Sequence, residues 1–374
     1  MERRDFITLL GSMAAWPLVA SAQQSESVRR IGVLLGSYTT SDKAGQARIA
    51  AFLKTLGDLG WNADRNIRID YRWGAGDTEQ AKQLTLETVQ SAPDVIIATS
   101  DPVLAQLQTL TRTIPIIFTQ VSEPVETGLV ASLAQPGGNI TGFQNFEPAI
   151  GGKWLEVLKE TAPNVKRVGA LFMPDAKAHA SFLDAARRVA PSVGVAVTVV
   201  DIQKDIERSI ASYSDQPDSG LIVFPHPKTI ANRRLISSLA ERHQLPAIYP
   251  YRYFAADGGL ITYGPDQIDQ WRGAAIYVDR ILKGEKPANL PVQTPTKYEM
   301  EINLKTAKAL GPDSVAGPDR QGRRGGRINR CIQLPRADQF SDHCGRRETC
   351  RARASVHSLR ELAPVAGRIR TIGS

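Results

Sequence analysis

The stretch from Gln23 to Gly311 has no cysteine; Cys331, Cys344 and Cys350 all come after it. A disulfide framework or a thiolate metal site is therefore excluded from the body of the protein. The body is also poor in net charge. The whole chain is formally +8, and its pI near 9.4 would ordinarily suggest a polyanionic partner. Residues 312–374, however, hold 13 Arg, no Lys and 6 acidic side chains, +7 by themselves, while the first 22 residues are neutral, leaving about +1 for the body. The arginine-rich stretch "GRRGGRINRC", Gly322 to Cys331, thus belongs to a tail, and no nucleic-acid partner is expected for the body. Beyond the N-terminus no apolar run reaches the roughly 20 residues that span a bilayer.

Catalytic motifs are missing too. Gly74 and Gly76 in "GAGDTE" begin like a dinucleotide loop, but Glu79 stands where the last glycine is needed. "GGKW", Gly151 to Trp154, lacks both the earlier glycine and the Ser/Thr of a phosphate loop. His179, His226 and His243 are not at metal-ligand spacing, and no G-x-S-x-G elbow occurs. His243 closes a helical run, where the helix dipole accounts for it. The expectation is no enzyme, no cofactor and no metal.

What is present begins with an export signal. Arg3 and Arg4 supply a charged start, Phe6 to Val19 an apolar segment interrupted by Pro17, and Ala20-Ser21-Ala22 a small-residue cleavage site. Cleavage is expected after Ala22. The paired arginines before Asp5 and Phe6 resemble a twin-arginine signal, which predicts a periplasmic location.

From Val28 onward, short β-branched runs alternate with amphipathic ones, the pattern of parallel sheets covered by helices. "RRIGVLLG", Ile67 to Trp73, "DVIIATS" and "IPIIFTQ" read as strands separated by helices; a long helix follows from about Glu147 to Thr161. A second series runs through "RVGALFMP", "VAVTVVDI", "SGLIVFPHP", "LPAIYPY" and "GGLITYG", followed by a helix at Gln267 to Leu282 and the extended "VQTPTKYEMEIN". The expected architecture is two doubly wound α/β lobes with a hinge and an interlobe cleft. Residues 28–143 with 251–290 form the first lobe, and 144–250 with 291–311 the second.

Ligands of open α/β sheets bind beyond the carboxyl ends of the strands. In the first lobe these ends carry Ser37, Tyr38 and Thr39, then Thr99, Ser100 and Asp101, then Thr119 and Ser122. In the second lobe they carry Phe172 and Pro225, beside His226. Asn145 lies near the first crossing between lobes, Tyr249 and Tyr251 near the second. Together they offer hydrogen bonds and flat walls to a small polar ligand. Each has a purely structural use as well: Thr99 to Asp101 precede Pro102 and suit a helix start, and Tyr249 suits a core.

Several long segments, in order, resemble the ABC transporter substrate-binding proteins with a type I periplasmic binding fold: the signal, "IGVLLGS", "EPVETGLVASLAQPGGNITGF", "LPAIYPYRYFAADGGLITYG" and "YVDRILKGEKPANLPVQTPTKYEMEINLKTAKALG". The resemblance extends to Gly311. It implies a monomeric solute receptor that closes on a small molecule, some relatives binding aromatic amino acids, and delivers it to a membrane permease. A sensor of the same fold is the alternative role, and an enzyme on a nucleotide-binding fold a more distant one. The "TSDPV" at Thr99 to Val103 departs from relatives, which carry small residues and glycine there; Asp101 either pairs with a ligand ammonium or caps its helix. The tail departs altogether. One choice of codons for Gly322 to Asn329, read one base later, spells Ala-Asp-Glu-Val-Val-Glu and a stop, like the family's ending. Residues 312–374 are therefore expected to be a frameshifted, poorly ordered extension, a genuine basic appendage being the alternative.

Overall fold

Most buried apolar runs are followed by a helix that returns the chain to the same edge, so most neighbouring strands pair in parallel and helices cover the sheets. The computed structural model describes residues 28–63, 65–311 and 369–372. In the first lobe, β1 (Arg29–Leu35), β2 (Ile67–Trp73), β3 (Val95–Thr99), β4 (Ile116–Val121) and β5 (Ile140–Gln144) form a parallel sheet of order β2-β1-β3-β4-β5. The central β3 and β4 are buried throughout, while the edge strand β2 is mostly half-buried. Between them run α1 (Lys43–Asp58), α2 (Thr78–Gln90) and α3 (Asp101–Leu110). Asp42 starts α1 by accepting from the Ala44 and Gly45 N–H groups at 2.8 and 3.1 Å, and Asp77 starts α2 through Gln80 N–H at 2.9 Å.

The second lobe opens with α4 (Ile150–Thr161) and contains β6 (Arg167–Phe172), β7 (Ala196–Asp201), β8 (Ser219–Val223), β9 (Ala247–Tyr249), β10 (Ile261–Pro265), β11 (Tyr298–Asn303) and β12 (Ile369–Ile372). Their order is β12-β11-β10-β9-β8-β6-β7, with only the β10–β11 pair antiparallel. Its helices are α5 (Lys177–Val193), α6 (Ile206–Ser214), α7 (Pro227–Ala231), α8 (Arg233–Arg242) and the short α9 (Tyr253–Ala256), with α11 (Leu304–Leu310) after β11. α5 ends at Gly194, whose φ of 66° suits a left-handed cap. The glycine pair in "GGKW" has a packing role: a Cβ on Gly151 would collide with the Phe182 carbonyl, so its absence lets α4 lie directly on α5. Next to it Trp154, Phe182, Phe224 and Phe146 make an aromatic core with ring centroids 5.2–6.2 Å apart.

The second crossing falls later than the sequence suggested. Ile261 of β10 pairs with Ile248 of β9 and with Ile302 of β11, so Ile261–Pro265 belongs to the second sheet and residues 251–260, which lead into it, to the second lobe. The chain returns to the first lobe with α10 (Gln267–Leu282), which lies on α1, Trp271 meeting Phe52 edge-on at 5.9 Å. It stays there through a bridge between Gln293 and Phe143 before entering β11. The run "GGLITYG" would suit either sheet; long-range pairing, invisible in a local pattern, decides. The signal segment and its cleavage site lie outside the described residues, as does most of the tail. One piece of the tail differs from expectation: the β-branched run Ile369–Ile372 pairs in parallel with β11 at the sheet edge.

Candidate ligand-binding cleft

The carboxyl ends of both sheets face each other across a narrow cleft that is partly open to solvent. The first lobe contributes Ser37, Ser100, Asp101, Gln120, Ser122 and Asn145. The second contributes Ala176, Ala178, His179 and Phe182 from the start of α5, Pro225 to Pro227 after β8, Ile230 and Tyr251. Of the residues expected from sequence, Ser37, Ser100, Asp101, Ser122, Asn145, Pro225 and Tyr251 line this space, and six do not. Thr99 uses its hydroxyl to tie β3 to β1, accepting from Gly36 N–H at 3.0 Å and donating to the Leu34 carbonyl at 3.2 Å. Thr39 is exposed beside Ser41. Thr119 is buried in β4, Phe172 packs on His179, and Tyr249 stacks on Phe254 in the core. Tyr38 stands behind the lining, its hydroxyl accepting from Gln120 Nε2 at 2.7 Å.

Sequence reasoning did not single out Gln120, His179 or Phe182, and named His226 only beside Pro225. Gln120 had one usable signal, an amide inside the apolar run "IIFTQV". It adopts φ 60°, and the β4–β5 register shifts between Phe118 and Val121, so a bulge re-aims the side chain toward the cleft. Ser100 (φ 79°) and Glu123 (φ 52°) are likewise left-handed. Three non-glycine residues in this region, each costing about 1–3 kcal/mol, gather at the same strand ends, as backbone strain does at functional sites.

The first-lobe wall is rich in unused acceptors. Asp101 Oδ1, Gln120 Oε1 and Asn145 Oδ1 are all enclosed without a hydrogen-bond partner. Each amide gives one of its two N–H groups to a tyrosine, Gln120 to Tyr38 and Asn145 Nδ2 to the Tyr251 hydroxyl at 2.6 Å. Burial pushes the Asp101 carboxyl up to about 7; a hydrogen bond from Ser122 N–H opposes this and the nearby Glu123 charge adds to it. Glu123 is itself raised by burial, offset by the Ser181 hydroxyl from α5.

On the second-lobe wall the histidines are neutral. His179 Nδ1 accepts from Met173 N–H at 3.0 Å, which leaves Nε2–H to donate to the Pro225 carbonyl at 3.2 Å. Burial and the neighbouring His226 bring it down to about 3. His226 Nδ1 accepts from Lys228 N–H at 3.1 Å, and burial takes this ring to about 4 although Asp175, 3.9 Å away, pulls the other way.

The two lobes touch at the rim. Arg233 of α8 reaches Asp42 of α1 at 2.7 Å and is held from behind by Asp257 at 2.6 Å. Tyr38 and Tyr253 meet hydroxyl to hydroxyl at 3.3 Å, with the buried Arg48 guanidinium 4.7 and 5.1 Å from the two ring centroids and bonded to Gln267. Among the described residues, no group of His, Cys, Asp and Glu could hold a metal ion, and no helix is long and apolar enough to cross a membrane.

The family profile for "ABC transporter substrate binding protein" matches residues 39–315. The chain belongs to this family. Its fold is that of type I periplasmic binding proteins, and its relatives are substrate-binding proteins rather than enzymes. A tyrosine-binding protein of Clostridioides difficile strain R20291 is 27% identical over 289 residues, 76% of this chain and 82% of that one. The solved structure of an ABC domain in complex with L-Trp from Streptococcus pneumoniae aligns with a TM-score of 0.69 and 24% identity over 76% of this chain and 95% of that one. A ligand-free, open substrate binding protein with adhesive properties from Clostridium difficile aligns at 0.57 and 26%, over 79% and 97%.

Proposed function

We propose that this substrate-binding protein is the extracytoplasmic receptor of an ABC importer, taking up a small solute that combines an ammonium with a flat apolar group. One observation carries the reading: three enclosed, unpartnered acceptors on the first-lobe wall, Asp101 Oδ1, Gln120 Oε1 and Asn145 Oδ1, face the rings and apolar side chains of Phe182, Tyr251 and Ile230. A buried carboxylate without a cation is costly, and an incoming ammonium removes the cost while the flat walls take the rest of the solute. The aromatic amino acids named for two relatives belong to this chemical class.

The lobes turn about the crossing segments, close on the solute, and present the closed form to a permease whose ATPase supplies the energy. The signal-like segment Met1 to Ala22 supports a periplasmic site for this work, and the body, with about +1 net charge, acts as a monomer without nucleic acid. Titration calorimetry with amines, amino acids, aromatic acids, sugars and inorganic anions tests the reading. Binding of an ammonium-bearing flat solute, with a smaller radius of gyration by X-ray scattering, supports it. Binding of sugars or inorganic anions alone refutes the ligand class, and binding without compaction refutes the hinge.

A further inference from the structure

We infer that Arg48, which lies outside the cavity lining, is a positioning residue that sets solute affinity by opposing closure of the empty cleft. The inference rests on the receptor reading above and names the residue that makes closure wait for a solute.

Arg48 of α1 is 2% exposed. A guanidinium stays charged at any pH the protein meets, so the strain of burial cannot be relieved by losing a proton. Its surroundings return only part of the hydration it gives up. Nη2 donates to Oε1 of Gln267, the first residue of α10, and the Tyr38 and Tyr253 ring centroids lie 4.7 and 5.1 Å from the guanidinium carbon. Nε and Nη1 have no acceptor, and no carboxylate pairs with this cation, among the described residues. Two ring faces and one amide oxygen recover some of the loss. A buried charge without a full set of partners remains costly, and an apolar side chain of similar volume is often the more stable occupant.

The cost falls on the closed form. Arg48, Tyr38 and Gln267 belong to the first lobe, whereas Tyr253 belongs to the second. Parting the lobes withdraws Tyr253 and lets water reach the guanidinium; closure expels that water again. Arg48 therefore pulls against the Asp42–Arg233 ion pair, which closure completes. Both rings are one contact away from the solute. Gln120 Nε2 donates to the Tyr38 hydroxyl at 2.7 Å, and Tyr253 stacks on Tyr251 at 5.3 Å. Gln120 and Tyr251 line the cleft. A solute held between them supplies the contacts that offset the buried charge and fixes both rings against it. An empty cleft supplies none, so the permease is spared an empty closed receptor.

The test uses the full chain, small-angle scattering without solute, and calorimetry with L-tyrosine and tyramine as probes. Arg48→Met removes the charge and keeps the bulk. Gln267→Glu instead gives the guanidinium a carboxylate at a helix start that favours one, where Gln267 Nε2 is itself without a partner. Both variants are expected to show a smaller solute-free radius of gyration than wild type and to bind the probes about 10-fold more tightly. Arg48→Lys, which keeps a cation beside the rings, is expected to stay within about 3-fold of wild type. Loss of mere packing would loosen the protein and weaken binding, the opposite direction. An equal or larger radius in both variants overturns the inference, as does compaction in only one of them when both fold by circular dichroism. A solute-free wild type already as compact as the closed structure overturns it too. Should Arg48→Met fail to fold, Gln267→Glu decides alone. Should neither probe bind, the scattering result decides, and only the choice of solute class is at fault.

Discussion

Asp42 and Arg233 meet at 2.7 Å from opposite lobes, and both side chains are largely buried, at 6% and 13% exposure. Asp42 also holds the start of α1, so Arg233 is the better partner to remove. Arg233→Met leaves a buried carboxylate uncompensated in the closed form, which costs about 3–5 kcal/mol when no water enters. The open form does not bear this cost. Small-angle scattering of the ligand-free variant is expected to show a larger radius of gyration than wild type, and solute affinity is expected to fall. An unchanged radius with unchanged affinity would show that the pair does not latch the lobes.

Gly76 is the close-approach point on the rim, with φ 80°; a Cβ there would lie 2.6 Å from the Ala231 Cβ of the other lobe. Gly76→Leu is expected to hold the lobes apart, lowering solute affinity by at least about 10-fold, while backbone strain costs the ligand-free fold about 1–3 kcal/mol. Calorimetry and thermal melting separate the two effects. Equal affinity in the variant would mean that this rim does not close in solution.

The pH dependence of binding follows from Asp101. Its carboxyl stands at about 7 in the closed, ligand-free cleft, and an ammonium requires the ionised form. Affinity should be flat above about pH 7 and fall by up to about 10-fold per unit below it. Of the groups near Asp101, Glu123 is also raised by burial. His226 and His179, at about 4 and 3, stay neutral through this window. Calorimetry from pH 5 to 8 should show the dependence in wild type and its loss in Asp101→Asn.

Stability of the ligand-free protein should carry the opposite sign. A carboxyl raised from 3.8 to about 7 on folding stabilises the fold below pH 4, and that stability is lost as pH rises to 7. The upper limit is about 4 kcal/mol at about 1.4 kcal/mol per unit. The histidines contribute slopes of the other sign, so the informative quantity is wild type minus Asp101→Asn. That difference should turn against wild type between pH 4 and 7; a constant difference would mean that Asp101 is solvated in the resting protein.

Much of this architecture is legible in the sequence because a parallel strand advertises its carboxyl end: a β-branched run followed by small polar residues marks Ser37, Ser100, Asp101 and Ser122 at once. Thr99 shows the limit of that rule, since adjacent backbone groups claimed its hydroxyl before any ligand could. Gln120 was hidden because its direction depends on a bulge, and His179 and Phe182 because the face of α5 that meets the cleft is set by lobe closure. Residues 251–265 were misassigned for a related reason: strand neighbours are chosen by long-range pairing, which leaves no local mark.

The most direct test of the receptor account is mass spectrometry of small molecules released when the purified, exported protein is denatured. The account predicts a near-stoichiometric solute with a basic nitrogen and a flat apolar group, released in much smaller amount from Asp101→Asn. A carbohydrate or an inorganic anion released in stoichiometric amount, equally from wild type and variant, would contradict it.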